Sequence, residues 1–391
     1  MIKYPYSKPE VTKSDINKVN EVLKGGYLSQ GAALQKFELE LSKYFDSKNA
    51  IICNSGTAAL HLIYMALGLG PNAGLLTSPI TFLATANAAK MCNAPVIFAD
   101  VDEKSGLLTA KTIEQSLKRS KHKIKVITLV HLGGKICDLE SIAKVAKRYN
   151  CLIVEDASHA AGAVYKNRNN IISKIGSNKY SIATIFSFNA IKHVAMGEGG
   201  CLLTNNSKIA NKIKSLRSHG MLRNKKQFLY MPEENAPWYY EMHELGWNYR
   251  ADETSCALGL NQLKRLKKGI AKRRKLAKYY YNEFKYLDHI ILPSDIKNIN
   301  LSVWHLYPML VDFKKIGMSR GHMMKELMKK GIQTQVHYIP LFMQPYYRDT
   351  KFSLYKGAIK YYESTLSIPL YVQLNKKDIS FISSTIKSII N

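Results

Sequence analysis

Between Ala50 and about Asn205, short apolar runs alternate with stretches of helical spacing. The runs Ala50–Cys53, Leu75–Thr77, Val96–Ala99, Val126–Val130, Leu152–Glu155, Ile182–Phe186 and Gly200–Thr204 predict strands. Helices are expected between most of them, over Thr57–Leu67, Thr81–Met91 and Leu139–Arg148 among others. Strands that alternate with helices build a parallel, doubly wound α/β sheet. Runs such as Leu152-Ile153-Val154 lack a polar alternate, as strands do when both faces of a sheet are covered. Beyond about Thr254 the pattern changes. One long Lys/Arg-rich helix is predicted to reach about Phe284, and a smaller α+β region follows. The chain therefore reads as a large domain over residues 1–253 and a small C-terminal domain over 254–391, with residues 1–25 able to pack on either. No internal repeat or low-complexity linker interrupts it.

Composition adds a size and an environment. The 391 residues are 46% hydrophobic and 22% charged, enough apolar content for a buried core. No apolar run reaches the length of a membrane span. Met1-Ile2-Lys3-Tyr4-Pro5-Tyr6 lacks the apolar stretch of a signal peptide, so a cytoplasmic protein is expected. The cysteines Cys53, Cys92, Cys137, Cys151, Cys201 and Cys256 form no Cys-x-x-Cys pair and read as free packing thiols. The net charge of +28 suggests nucleic acid, an anionic membrane or an anionic small ligand. The lysines are spread along the chain, however. The clusters at Lys118–Lys125 and Lys264–Lys275 lack the interleaved glycines and aromatics of an RNA-binding module. A solvated Lys-rich surface is expected, with attraction for phosphorylated ligands as a by-product and no nucleic-acid or membrane partner.

Ligands of open parallel sheets sit beyond the carboxyl ends of the strands. After Ala50–Cys53 comes Asn54-Ser55-Gly56-Thr57-Ala58-Ala59-Leu60, a small turn that opens a helix and so offers an anion site. Alone, it equally fits a plain N-cap by Ser55 or Thr57. After Leu152–Glu155 comes Asp156, an acid at a strand end, with His159 three residues on. A capping or salt-bridged Asp and a satisfied structural His fit as well. After Ile182–Phe186 comes Ser187-Phe188-Asn189-Ala190-Ile191-Lys192, then a Gly-rich return through Gly197-Glu198-Gly199-Gly200. Desolvation at such a place lowers a lysine pKa and makes the amine nucleophilic. Most lysines in so basic a chain lie on the surface.

Together these groups match the needs of pyridoxal 5′-phosphate (PLP): a lysine for the Schiff base, an acid for the pyridine nitrogen and a phosphate cradle. Phe82, in Ser78-Pro79-Ile80-Thr81-Phe82, supplies an aromatic ring after a fourth strand. Gly68-x-Gly70-x-x-x-Gly74 has the wrong spacing and context for a dinucleotide loop. The sequence has no His-Glu-x-x-His, Gly-x-Ser-x-Gly or P-loop motif, so no metal site is expected and hydrolase or NTPase chemistry lacks support.

The segments Glu155-Asp156-Ala157-Ser158-His159-Ala160, Ser187 to Lys192 and Gly197-Glu198-Gly199-Gly200 resemble the DegT/DnrJ-type sugar aminotransferases. The likeness runs from Leu28-Ser29-Gln30-Gly31 past Ser218-His219-Gly220 and Asn248-Tyr249-Arg250 to Gln335-Val336-His337-Tyr338. The resemblance implies a fold-type I PLP-dependent transferase with a mainly parallel seven-stranded sheet. It also implies Lys192 and Asp156 as catalytic residues, with Lys192 binding the cofactor covalently and then shuttling the proton. Asp156 would pair with the pyridine nitrogen, His159 would lie near the ring hydroxyl, and Phe82 on the ring face. Thr57, Ala58 and Ser187 would hold the phosphate, and Asn248 would reach the phosphate of a neighbouring subunit in a homodimer. The substrates implied are L-glutamate and a nucleotide-linked 4-keto-6-deoxy sugar. The segments Pro5 to Pro9, Pro237 to Glu241, Leu245 to Arg250 and His305 to Pro308 are similar to the pseudaminic acid branch, whose keto-sugar is UDP-linked. A GDP-perosamine-type enzyme is the alternative. From another class, a non-catalytic regulator or nucleic-acid-binding protein of the same fold remains open, motivated by the charge. One departure stands out: Asn189 replaces the His usual in the family. A sister branch of dehydratases carries His at the lysine position, and Lys192 argues against it.

Overall fold

The computed structural model describes residues 2–230, 236–293, 299–348 and 352–390. Its main sheet has seven strands: β1 Asn49–Cys53, β2 Gly74–Thr77, β3 Val96–Phe98, β4 Ile124–Val130, β5 Leu152–Asp156, β6 Ala183–Ser187 and β7 Gly200–Thr204. Their spatial order is β1-β7-β6-β5-β4-β2-β3. Every adjacent pair is parallel except the two that β7 makes with β1 and β6. The expected α/β class and mainly parallel sheet are thus observed.

Period-two alternation explains how both faces are covered. Ile52, Leu76, Ile127, Ile153 and Phe186 enter one apolar core. Their chain neighbours Ile51, Leu75, Val126, Val154 and Ile185 enter a second core on the opposite face. The first face packs on helices such as α2, Ala32–Phe45, whose Leu34, Phe37, Leu41 and Phe45 form one buried stripe. Helix α2 has no side-chain cap of its own. The buried Glu253 carboxylate fills that role, accepting from the N–H groups of Gly31 at 2.8 Å and Ala33 at 2.7 Å. The second face packs on α3, Gly56–Ala66, and on Ser207–Leu216.

Two helix expectations change. The Lys/Arg-rich helix is two helices, Glu253–Leu263 and Leu266–Phe284. At the break, Arg265 N–H bonds to Gln262 O three residues back, and the Arg265 guanidinium is held by buried Asp15 at 2.8 Å. The helix expected from Thr81 begins at Ala84. Thr81 turns its hydroxyl onto Thr85, 2.8 Å away, and its segment forms the cavity wall described below.

A third core gathers Leu276, Tyr280 and Phe284 with the antiparallel strands Ile290–Ile291, Tyr307–Val311 and Thr365–Ile368 and the helices Arg320–Lys329 and Lys376–Ile390. Tyr4 joins this core, whereas helix α1, Lys13–Gly25, packs on Glu253–Leu263. All six cysteines are free thiols. Among the described residues, no helix is long and apolar enough to cross a membrane.

Candidate active site

A cavity of about 590 Å³ opens where the carboxyl ends of β1, β2, β4, β5 and β6 meet the segment Gln335 to Ile339. Thr57, Phe82, Asp156, His159, Ser187 and Lys192 all line it. Ala58 does not; its N–H is held by the Ser55 Oγ cap of α3 at 3.0 Å. Asn248 is exposed and bridges to Ser218 outside the cavity.

The turn after β1 is pressed close to Ser187. A Cβ on Gly56 would stand 3.0 Å from the Ser187 Cβ, and one on Gly200 would lie 2.3 Å from Ser55 O. Glycine at these two positions lets the α3 N-terminus and Ser187 face the same space. That arrangement, with Thr57 beside it, suits an anion.

Asp156 ends β5 and is buried. Its Oδ2 accepts from Thr85 Oγ1 at 2.7 Å, and its Oδ1 from Ser158 Oγ at 2.6 Å. Its neighbour Glu155 points to the other face of the strand, where it meets His131 Nε2 at 2.9 Å and Ser181 Oγ. Two adjacent acids thus have separate environments, and Asp156 is the one lining the cavity.

Lys192 is half-buried, with its amine facing the cavity. Desolvation lowers its pKa to about 8, although Asp156 opposes the shift. It is therefore not the surface lysine that composition favoured. Asn189, the departure from the family pattern, donates to Glu198 Oε1 at 2.7 Å and ties the lysine loop to the Gly-rich return.

His159 is buried against the loop after β4. The Gly133 N–H donates to its Nδ1 at 3.2 Å, and burial pushes its pKa well below the usual value. The ring is therefore neutral and carries its proton on Nε2, which meets the Tyr338 hydroxyl at 3.3 Å. Phe82 is exposed at the mouth, its ring 6.1 Å from that of Tyr338.

Sequence reasoning missed the roles of Thr85, Ser158, Tyr338, His305 and Tyr6 in this space. Thr85, at the start of a helix just after a strand end, was a readable sign of a hydroxyl near the ligand space. Tyr6, His305 and Tyr338 stand in segments that carry the resemblance, but they arrive from distant parts of the chain and nothing local assigned them to this space.

The DegT/DnrJ/EryC1/StrS aminotransferase family matches residues 9–387. The chain is 36% identical to the spore coat polysaccharide biosynthesis protein SpsC of Bacillus subtilis, covering 99% of this chain and 97% of that protein. It is also 36% identical to a UDP-4-amino-4,6-dideoxy-N-acetyl-beta-L-altrosamine transaminase of Campylobacter jejuni, over 98% and 97% of the two chains. Its structure matches Helicobacter pylori PseC, an aminotransferase involved in the biosynthesis of pseudoaminic acid, with a TM-score of 0.88, 30% identity and 99% of each chain covered. The putative sugar aminotransferase Spr1654 of Streptococcus pneumoniae, known in a PLP form, matches with a TM-score of 0.85 and 25% identity over 99% and 98% of the chains. The chain belongs to the DegT/DnrJ/EryC1/StrS aminotransferase family.

Proposed function

We propose that this sugar aminotransferase holds PLP in the cavity and moves an amino group from L-glutamate to C4 of a nucleotide-linked 4-keto-6-deoxy sugar. One observation carries the reading: groups from three strand ends, the α3 N-terminus after β1, Asp156 on β5 and Lys192 after β6, face one space. The residues fit the cofactor. An amine with a pKa near 8 is a competent nucleophile toward an aldehyde. Asp156, clamped by two hydroxyls, suits a pyridinium nitrogen. Thr57, Ser187 and the helix N-terminus suit a phosphate, and Phe82 and His159 flank the place of the ring. When bound, PLP acts as the sink for the electron pair left by proton removal from a substrate carbon. Within each half, Lys192 Nζ would move a proton between the substrate carbon and the cofactor's C4′ carbon, acting as general base and then acid.

Asn248 lies on an exposed segment with Trp238, Tyr240 and Leu245. We assign it to the phosphate site of a second subunit, which makes the working unit a homodimer. Mixing Lys192→Ala subunits with subunits carrying a damaging Asn248 change tests this. Restored activity is expected from hybrid dimers, and no return once hybrids demonstrably form removes the assignment.

For the acceptor we favour UDP-2-acetamido-2,6-dideoxy-β-L-arabino-hex-4-ulose. The names of the Campylobacter and Helicobacter relatives support it, as does the full-length match to both. The test is direct competition with GDP-4-keto-6-deoxymannose, read as kcat/KM. A preference for the UDP-sugar is expected. A preference for the GDP-sugar would overturn the substrate while leaving the aminotransferase standing. A yellow PLP-loaded protein should bleach with glutamate; one that stays yellow is not a glutamate transaminase.

A further inference from the structure

His159, His193 and His305 lie within the electrostatic influence of Lys192, and the proposed chemistry gives His193 and His305 no part. The His305 ring stacks on His159, centroids 4.4 Å apart and planes at 30°. The His193 ring also meets His305, edge-on with centroids 5.2 Å apart. His305 is fully buried, and its Nδ1 has no hydrogen-bond partner among the described residues.

The backbone around His305 is fixed unusually well. Buried Arg273 donates from Nη1 to His305 O at 3.2 Å and Leu370 O at 2.7 Å. Ser302 Oγ donates to Gly134 O at 2.9 Å, and Leu306 N–H to Gly133 O at 3.3 Å. Gly134 has φ +94°, and a Cβ there would meet Val303 Cγ2 at 2.9 Å and His305 N at 3.1 Å, so the two loops close only on glycine. The loop that carries His305 is therefore stitched to the loop whose Gly133 N–H reaches His159 Nδ1.

We propose that His305 is a positioning residue: its flat ring and the Gly133 N–H together clamp the His159 imidazole, so that the Nε2–H edge faces the cavity. This rests on the reading of the cavity as the cofactor site, because the edge so presented would meet the bound ring. A neutral imidazole has one N–H, and Gly133 N–H directed at Nδ1 leaves the proton on Nε2. The stacked ring blocks His159 from swinging out of that plane. The groups facing His159 are Lys192, His193, His337, His305 and the Tyr338 hydroxyl, with Arg273 behind His305. The cationic ones among them oppose a second proton.

The test compares wild type with His305→Ala and His305→Phe. Nitrogen-15 NMR of the histidines without cofactor, with His159→Gln to assign the signal, reads the tautomer. Titration with PLP, followed through the visible absorbance of the Lys192-bound form, reads its affinity and its pH midpoint. In wild type a single Nε2–H tautomer of His159 is expected. His305→Ala should mix the tautomers, weaken PLP binding by about three- to tenfold and move the pH midpoint, because the stacked pair is lost. His305→Phe should restore all three. If His305→Ala does not fold, His305→Leu fills the space without a flat ring and gives the same reading. An unchanged tautomer and midpoint in the ring-less variant overturns the proposal, and so does a His305→Phe protein as impaired as the ring-less one. If wild type fails to bind PLP through Lys192, the cofactor reading falls, while the NMR arm still decides the clamp.

Discussion

The sheet side of the cavity and the side built by residues beyond 300 reach the same space by different means. Ser55 to Thr57, Asp156 and Ser187 stand directly at strand ends, where β-sheet hydrogen bonds fix the backbone, and Lys192 follows β6 in a loop tied back to the strand end by Phe188 N–H to Gly199 O and Met196 N–H to Phe188 O, both at 2.8 Å. His305, His337 and Tyr338 come from loops, held by contacts between segments far apart in sequence, such as Ser302 to Gly134 and His337 Nδ1 to Ser367 Oγ at 2.9 Å. In the proposed function the first side carries the groups that exchange protons and bind charge, and the second carries rings stacked on His159. Rigid elements hold reactive groups to better tolerance than loops do; Asp156 and Ser187 follow that rule, and the lysine loop comes near it by its short hydrogen bonds to the strand end and the Gly-rich return.

If the division is right, Lys192→Ala has the largest effect. Transamination should fall by several orders of magnitude, since both the covalent link and the proton transfer use this amine. Steady-state rates with glutamate and a keto-sugar read it, and near-wild-type turnover would break the comparison outright. Asp156→Asn comes next, with a loss of about 10²–10⁴-fold, the range of a positioned proton-handling group. Single-turnover conversion of bound PLP by glutamate measures it. An unchanged rate would make Asp156 a structural acid like Glu155.

The same contrast explains what was legible in the sequence. Strand periodicity and strand-end chemistry are local, so Asp156, Lys192 and the turn at Gly56 stood out without a structure. The clamp on Asp156 was half-legible: Ser158 is two residues away, but Thr85 comes from a different strand-to-helix turn. His305 and Tyr338 stood in segments that carry the resemblance but were given no place in the site, because nothing near them in the chain states what they touch. The break at Lys264-Arg265 was hidden for a related reason. Helical spacing continues through it, and the partner that accompanies the break, Asp15, lies 250 residues earlier.

A third way to sharpen the comparison is acid. Burial pushes the pKa values of His159 and His305 well below the usual value, and that of His337 to about 3. All three are buried neutral in the folded chain and titrate near 6.5 when unfolded. The unfolded state therefore binds more protons below that pH. The associated stability is fully present above about 6.5 and is lost as pH falls toward 3. Each histidine that stays neutral contributes a slope of roughly 1.4 kcal/mol per pH unit. Asp15 falls in a different window. Burial raises its pKa, but Arg265, Thr12 and Asn261 outweigh burial and hold it at about 2, so its contribution fades only below about 4. Urea unfolding of the cofactor-free chain at pH 7 and pH 5.5 separates the two. A clear loss is expected, less steep in His337→Phe. Equal stability at both values would mean that the loop side does not hold its histidines neutral.

The smallest effect is expected from Tyr338→Phe, and it tests the loop side directly. The substitution keeps the ring, whose plane lies at 22° to His159 with centroids 6.2 Å apart, and removes only the hydroxyl that meets His159 Nε2. That hydroxyl is not free to ionise near neutral pH, because burial raises its pKa. It therefore takes no part as a base and acts through one neutral hydrogen bond. Such a bond is worth about 0.5–1.5 kcal/mol net, so kcat/KM should fall by roughly two- to tenfold. The loss should appear mainly in KM for the second substrate or in PLP affinity, since the proton-moving amine on the sheet side is untouched. Kinetics with each substrate varied in turn, beside a PLP titration, give that split. A kcat loss approaching that of Lys192→Ala would place proton chemistry on the loop side and end the division between the two walls.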